Sequence, residues 1–156
     1  MVSIGEKVDN FELPANGGQI ISLAALAGKN LVLYFYPKDS TPGCTQEGGD
    51  FRDLYDQFQA ENTEILGASK DSVRRHENFI AKQSFPFNLL SDEDETLCQQ
   101  FDVIKEKNMY GRKYMGIERS TFLINGQGEL VGEWRKVRVK GHAQAVLERV
   151  HELNAG

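Results

Sequence analysis

Leu31-Val32-Leu33-Tyr34-Phe35-Tyr36-Pro37-Lys38-Asp39-Ser40-Thr41-Pro42-Gly43-Cys44 is the stretch from which the rest of the chain can be read. Its first six residues are apolar at every position. That is the pattern of a strand covered on both faces, as in a parallel or mixed sheet lying between helices. Pro37 ends the strand. Thr41 and Pro42 suit an N-cap and a first helical residue. Phe51, Leu54, Tyr55 and Phe58 then recur at i, i+3, i+4 and i+7, so a helix opens at Thr41 with one apolar stripe. Gly48 and Gly49 lie inside it, each costing about 1 kcal/mol relative to Ala, which points to close packing or a functional need.

On the N-terminal side, a turn-rich opening of 18 residues (Pro14, Asn16, Gly17, Gly18) leads to a short strand at Gln19–Leu23. On the C-terminal side, Glu64–Ser69 forms a second core strand, and Asp71 or Ser72 caps a helix running to about Gln83. Phe85–Leu90 is a short strand, and Asp92-Glu93-Asp94-Glu95 opens a helix through Phe101, with Asp92 and Glu95 spaced as a capping box. Residues 104–117 are polar, rich in Gly and Lys, and show no clear period. Thr121–Ile124 is a strand, Asn125–Gly128 a turn, and Glu129–Trp134 returns as the second arm of a hairpin. Ala143, Val146, Leu147, Val150 and Leu153 mark a last helix. Strands alternating with helices and ending in a hairpin plus helix give an α/β class, with a mixed central sheet flanked by helices. This is the thioredoxin-like arrangement.

A length of 156 residues matches a single domain, 1–156, at about 150 residues per domain. With 40% hydrophobic and 26% charged residues, the composition excludes a disordered or collagen-like chain. A net charge of −5 argues against non-specific nucleic-acid binding, which needs a basic field. The longest apolar run, Leu31–Tyr36, falls far short of the ~20 residues that cross a bilayer. No basic start followed by an apolar stretch marks a signal peptide. A soluble, cytoplasmic protein without membrane association is expected. Two cysteines make no disulfide framework, and a cytoplasmic free cysteine is either reactive or inert.

Cys44 falls in the first turn of the helix after the buried strand. Unpaired backbone N–H groups and the positive end of the helix dipole both favour an anion there, hence thiolate over thiol. On position alone a second reading stands beside this one, a small buried apolar residue. Thr41-Pro42-Gly43-Cys44 has the spacing of a Cys-x-x-Cys redox motif, with Thr in place of the first cysteine, so no disulfide forms within it. A hydroxyl at Thr41 can instead donate to an oxygen bound beside Cys44. Thiolate, hydroxyl and bare helix N–H groups together suit a small peroxide.

Pro37, Thr41 and Cys44 fit the Pro-x-x-x-Thr-x-x-Cys signature of peroxiredoxins. Phe35-Tyr36-Pro37-Lys38-Asp39 and Thr41-Pro42-Gly43-Cys44-Thr45-x-Glu47 resemble the bacterioferritin comigratory protein, or Q-type, subgroup. The resemblance continues through Phe51-Arg52-Asp53, Leu89-Leu90-Ser91-Asp92, Lys113-Tyr114-x-Gly116-Ile117, Arg119–Ile124 and Trp134-Arg135-Lys136-Val137, nearly the whole chain. It implies that Cys44 is the peroxidatic nucleophile and Pro37 its shield. Thr41, Gly43, the Cys44 N–H and Arg119 would line the peroxide site. Arg119 directly precedes a strand and can reach a neighbouring strand end; a guanidinium there stabilises a thiolate. Glu47, one turn past Cys44, either orients Arg119 or is a solvated helix residue.

The implied reaction is attack of the Cys44 sulfur on a peroxide oxygen, giving a sulfenic acid and water or an alcohol. It calls for no cofactor: no metal, haem or flavin. His76, His142 and His151 show no ligand spacing with either cysteine. Many family members carry a resolving cysteine five residues after the first, where Gly49 stands here, and others carry it on the next helix, where residues 72–84 hold none. Cys98 remains, either as a resolving thiol or as a packing residue beside Leu97. The favoured reading is a one-cysteine enzyme reduced by an external thiol (thioredoxin, glutaredoxin or glutathione) and acting as a monomer. Basic residues in 105–119 and 135–140 either guide an acidic reductant or form a solvated surface. Two other functions were weighed. A thiol–disulfide oxidoreductase is opposed by Thr41 and by the lack of proline before the Thr121 strand. A non-enzymatic module would make the coincidence of Thr41, Cys44 and Arg119 accidental.

Overall fold

The computed structural model describes residues 2–156. In chain order its elements are β1 (Glu12–Ala15), β2 (Gln19–Ser22), β3 (Asn30–Phe35), α1 (Pro42–Ala60), β4 (Thr63–Ser69), α2 (Val73–Gln83), β5 (Asn88–Ser91), α3 (Thr96–Gln100), β6 (Ile104–Met109), β7 (Arg112–Ile117), β8 (Ser120–Ile124), β9 (Leu130–Trp134) and α4 (His142–Ala155). Seven strands form one sheet in the order β2-β1-β5-β4-β3-β8-β9, and β6 and β7 pair separately. β3 runs parallel to β4 and antiparallel to β8, so the sheet is mixed, as the apolar run at 31–36 implies. Among the described residues no helix is long and apolar enough to cross a membrane.

Every residue of β3 is buried, and the period-2 alternation of a strand sorts its side chains onto two cores. Leu31, Leu33 and Phe35 pack with Phe101, Phe122, Cys98 and the N-terminal Val8 and Phe11. Val32, Tyr34 and Tyr36 pack on the opposite face with Cys44, Phe51, Phe58, Phe79 and Val146, drawn from α1, α2 and α4. The two cysteines therefore lie on opposite sides of the sheet.

Four local expectations change. β1 lies in the stretch read as turns, carrying Pro14 within it and pairing with β2 across a tight turn at Gly17, whose φ is 75°. β5 begins at Asn88 rather than Phe85, whose ring stacks on Phe87 instead. α3 begins at Thr96, not Asp92, because Glu95 takes a left-handed conformation (φ 65°). Asp92 is wholly buried and its carboxylate accepts from the Leu97 and Cys98 amides at 2.9 and 2.7 Å, meeting the free N–H groups of the helix start from outside it. Residues 104–117 form a hairpin turning on Tyr110 and Gly111, both with positive φ (52° and 78°), the geometry of a type I′ turn.

The glycine pair inside α1 has a packing cause at its first member. A Cβ on Gly48 would lie 2.4 Å from the tip of the Phe85 ring, which is held edge-on by Phe79 and stacked on Phe87, with no room to swing away. Gly48→Ala is therefore expected to destabilise by about 1–2 kcal/mol, overpacking outweighing the ~1 kcal/mol that Ala gains as a helix former. Urea unfolding measures this, and Phe85→Leu in the same chain should recover the loss. A Gly48→Ala variant as stable as the parent would contradict the packing account.

Candidate active site

The site is built where β3 ends and α1 begins. Cys44 is the third residue of α1 and is only 2% exposed. The first helical bond runs from the Thr45 amide to the Thr41 carbonyl (2.9 Å), so the Gly43 and Cys44 N–H groups lie ahead of the intrahelical ladder. Antiparallel pairing of β3 with β8 sets Ser120 opposite Phe35 and delivers Arg119 to the same end of the sheet. Its Nη2 donates to Cys44 Sγ at 3.5 Å, and its Nη1 donates to Glu47 Oε1 at 2.7 Å. A Cβ on Gly43 would stand 3.1 Å from Nη2, so glycine keeps that approach open.

Of the two readings of Glu47, the solvated one fails: the residue is fully buried and bound to Arg119. Only one of its oxygens is partnered, Oε2 being buried without a hydrogen bond. Burial pushes its carboxyl up to about 7 against the opposing pull of Arg119.

Thr41 occupies the N-cap position but its side chain does not cap the helix. Its hydroxyl donates to the Lys38 carbonyl at 2.8 Å. With that proton committed, the oxygen is left as an acceptor, not the donor the sequence suggested. Pro37, half-buried, starts the loop that carries Thr41.

That loop is fixed by a polar cluster the sequence did not reveal. Asp39, buried, accepts from the Tyr36 hydroxyl at 2.5 Å, meets His76 Nδ1 at 2.7 Å and donates its amide to Asp71 at 2.8 Å. His76 is itself fully buried, and its Nε2 donates to the Leu90 carbonyl at 2.8 Å. α2 and β5 thereby hold the segment leading to Thr41 and Cys44. Lys107 is a second cation missed at the site. Burial and the charge of Arg119 lower its ammonium, while Cys44 works the other way.

Cys98 is not brought to this site. It is fully buried across the sheet from Cys44, and burial, reinforced by hydrogen bonding to Asp92, pushes its thiol well above the usual range.

Residues 4–132 match the AhpC/TSA family. Peroxiredoxin Bcp of Xanthomonas campestris is 60% identical over 139 residues, covering 88% of this chain and 87% of that protein. The chain belongs to the AhpC/TSA family. It is a peroxiredoxin of the Bcp, or Q, type, and its activity is that of a thiol-dependent peroxidase. Peroxiredoxin Bcp of Bacillus subtilis is 46% identical over 153 residues, 98% of each chain. Among solved structures, PrxQ of Xylella fastidiosa superposes with a TM-score of 0.93 at 46% identity over 97% of each chain. The bacterioferritin comigratory protein of X. campestris, studied for alkyl peroxide reduction, gives 0.89 at 56% identity over 92% of each. These neighbours carry the thioredoxin fold, in agreement with the mixed sheet and its flanking helices.

Glu47 links peroxiredoxin stability to pH. Its folded value, about 7, lies above the ordinary 4.5, so the native chain holds this proton more tightly than the unfolded one. The stabilisation is complete below the ordinary value and is lost as pH rises through about 7. The wild type should lose about 3 kcal/mol more than Glu47→Gln between roughly pH 4 and pH 8. Urea midpoints of both proteins across that range check this; parallel curves would contradict it.

Proposed function

We propose that Cys44 is the peroxidatic nucleophile of a one-cysteine cycle and that an external thiol closes it. The observation that carries the reading is the Arg119 guanidinium, 3.5 Å from the Cys44 sulfur at a helix N-terminus. A fixed cation and free N–H groups at the sulfur favour the negative charge that develops on a departing oxygen.

The Cys44 thiolate attacks one oxygen of hydrogen peroxide or an organic hydroperoxide. The O–O bond breaks, and the leaving oxygen takes a proton and departs as water or an alcohol. Cys44 is left as a sulfenic acid. Thr41 accepts from the peroxide O–H, the Gly43 and Cys44 amides and Arg119 donate to its oxygens, and Pro37 screens the sulfur. Glu47 holds the guanidinium in place.

A reductant thiol then attacks the sulfenic sulfur, releasing water and forming a mixed disulfide, which a second thiol cleaves to return Cys44. Thioredoxin, glutaredoxin or glutathione supplies these thiols. Two features support the external route: Gly49 and the cysteine-free α2 stand where other family members place a second cysteine, and the sheet separates Cys98 from Cys44. The chain works as a cytoplasmic monomer, one domain over 1–156, without a cofactor.

Peroxide consumption with dithiothreitol tests the roles. Cys44→Ser should abolish activity, and Cys98→Ser should keep it within about twofold, as befits a packing thiol. Arg119→Ala should slow oxidation of Cys44 at least about tenfold, the loss of one charge-stabilising donor. Mass spectrometry after one equivalent of peroxide should show a Cys44 sulfenic acid; a Cys44–Cys98 disulfide formed at the rate of turnover would overturn the one-cysteine cycle.

A further inference from the structure

The β6–β7 hairpin stands outside the main sheet, and its register divides its side chains sharply. Cross-strand partners share a face. Lys105 with Gly116, Lys107 with Tyr114 and Met109 with Arg112 lie on one side. Ile104 with Ile117, Glu106 with Met115 and Asn108 with Lys113 lie on the other. The first face thus carries three cations and no acid, while on the second Glu106 offsets Lys113. Lys105 already pairs with Asp102 at 3.1 Å, but among the described residues Lys107 and Arg112 form no ion pair. This concentration of positive charge sits on a chain of net charge −5.

The hairpin is also where apolar surface is left open. Of the large hydrophobic side chains exposed among the described residues, Met109, Tyr110, Tyr114 and Met115 belong to it, with only Ile4 and Ile20 elsewhere. Methionine, tyrosine and arginine are the residue types enriched at protein interfaces.

The hairpin runs directly into the active-site arginine: β7 ends at Ile117, and Glu118 alone separates it from Arg119. A Cβ on Gly116 would meet the Tyr114 ring at 3.3 Å and the Lys107 side chain at 3.4 Å, so both lie over the strand that leads into Ile117, Glu118 and Arg119. Lys107 is close enough to feel the charges of Arg119 and Cys44.

We propose that the hairpin face bearing Lys105, Lys107, Met109, Arg112 and Tyr114 docks an acidic protein dithiol, the reductant of the Cys44 sulfenic acid. The proposal rests on the external-thiol cycle above and names the partner's chemistry. One thiolate of the partner attacks the sulfenic sulfur, hydroxide leaves as water with a proton, and a mixed disulfide forms. The partner's second thiol then displaces Cys44, so the partner is oxidised by two electrons to its disulfide. A second copy of this chain is a poorer occupant, because symmetric contact would set two unneutralised basic faces against each other.

The test compares two double variants of the full chain that remove the same charge type and similar apolar bulk from opposite faces. Arg112→Glu with Tyr114→Ser alters the proposed docking face; Lys113→Glu with Met115→Ser alters the other. Turnover is followed with an acidic thioredoxin, recycled by its reductase, and separately with dithiothreitol. With thioredoxin, the first variant should lose at least about tenfold in kcat/KM and most of the salt dependence, and the second no more than about twofold. With dithiothreitol both should match the wild type. Equal losses in the two variants with thioredoxin, or no loss in either, would overturn the docking face. So would a first variant equally impaired with dithiothreitol, or a wild type reduced by glutathione and not by thioredoxin. None of these results touches the one-cysteine cycle, whose failure reads out separately as a Cys44–Cys98 disulfide.

Discussion

One guanidinium holds this site together. Arg119 reaches two acidic groups of α1 at once, the Cys44 sulfur and the Glu47 carboxylate, from 75 and 72 residues away in the chain. It can do so because β8 pairs antiparallel with β3 and ends its approach beside the first turn of α1. Arg119 is planar and permanently charged, so it offers both partners a donor in fixed directions without losing its proton. Glu47 is the less comfortable partner. A carboxylate buried with one oxygen unpaired is costly to ionise, which is why its proton is held to about 7. Near neutrality the pair therefore sits close to a balance between a full ion pair and a charge-assisted hydrogen bond. Any shift of that balance reaches the sulfur through the same side chain.

The sheet imposes a second constraint with redox consequences. Alternation along β3 sends Phe35 to one core and Tyr36 to the other, and each core holds one cysteine. A disulfide requires Cα atoms within about 7 Å, whereas a sheet and its side chains stand between these two thiols. Cys98 is further tied by its amide to the buried carboxylate of Asp92. Burial, reinforced by the Asp92 carboxylate, holds that thiol well above its usual range.

Much of this was legible locally. The unbroken apolar run of β3, the i, i+3, i+4, i+7 stripe of α1 and the periodic α4 each carry their signal within a few residues. So do Thr41 and Cys44, whose spacing around a helix start needs no tertiary information, and Arg119, whose position before a strand suggested its reach. What escaped has identifiable causes. β1 is four residues long and contains a proline. The β6–β7 hairpin turns on Tyr110-Gly111 where Asn-Gly would have announced it, and much of both faces meets water, so no polar–apolar alternation marks it. The start of α3 is displaced because Glu95 turns left-handed and Asp92 meets the helix amides from five and six residues away. The Tyr36–Asp39–His76 cluster joins groups as far as 40 positions apart, and no spacing rule links them. The direction of the Thr41 hydroxyl is not legible either, because the acceptor that claims its proton is a backbone carbonyl set by the loop's own conformation.

The electrostatics of the site serve both halves of the proposed cycle in the same direction. The peroxide half needs an anionic sulfur, and the reductive half needs an anionic thiol to approach that sulfur after it has become neutral sulfenic acid. Once the thiolate charge is spent, Arg119 and Lys107 no longer face an anion at Cys44, and the mouth becomes more positive at the moment an incoming thiolate must be drawn in. A cation beyond one Debye length, about 8 Å at physiological salt, would contribute little to that pull. Burial and the charge of Arg119 act on Lys107 and Cys44 opposes them, so Lys107 is the hairpin cation coupled to the site. In the proposed cycle the charge on one sulfur thus decides when a second thiolate is drawn to the site.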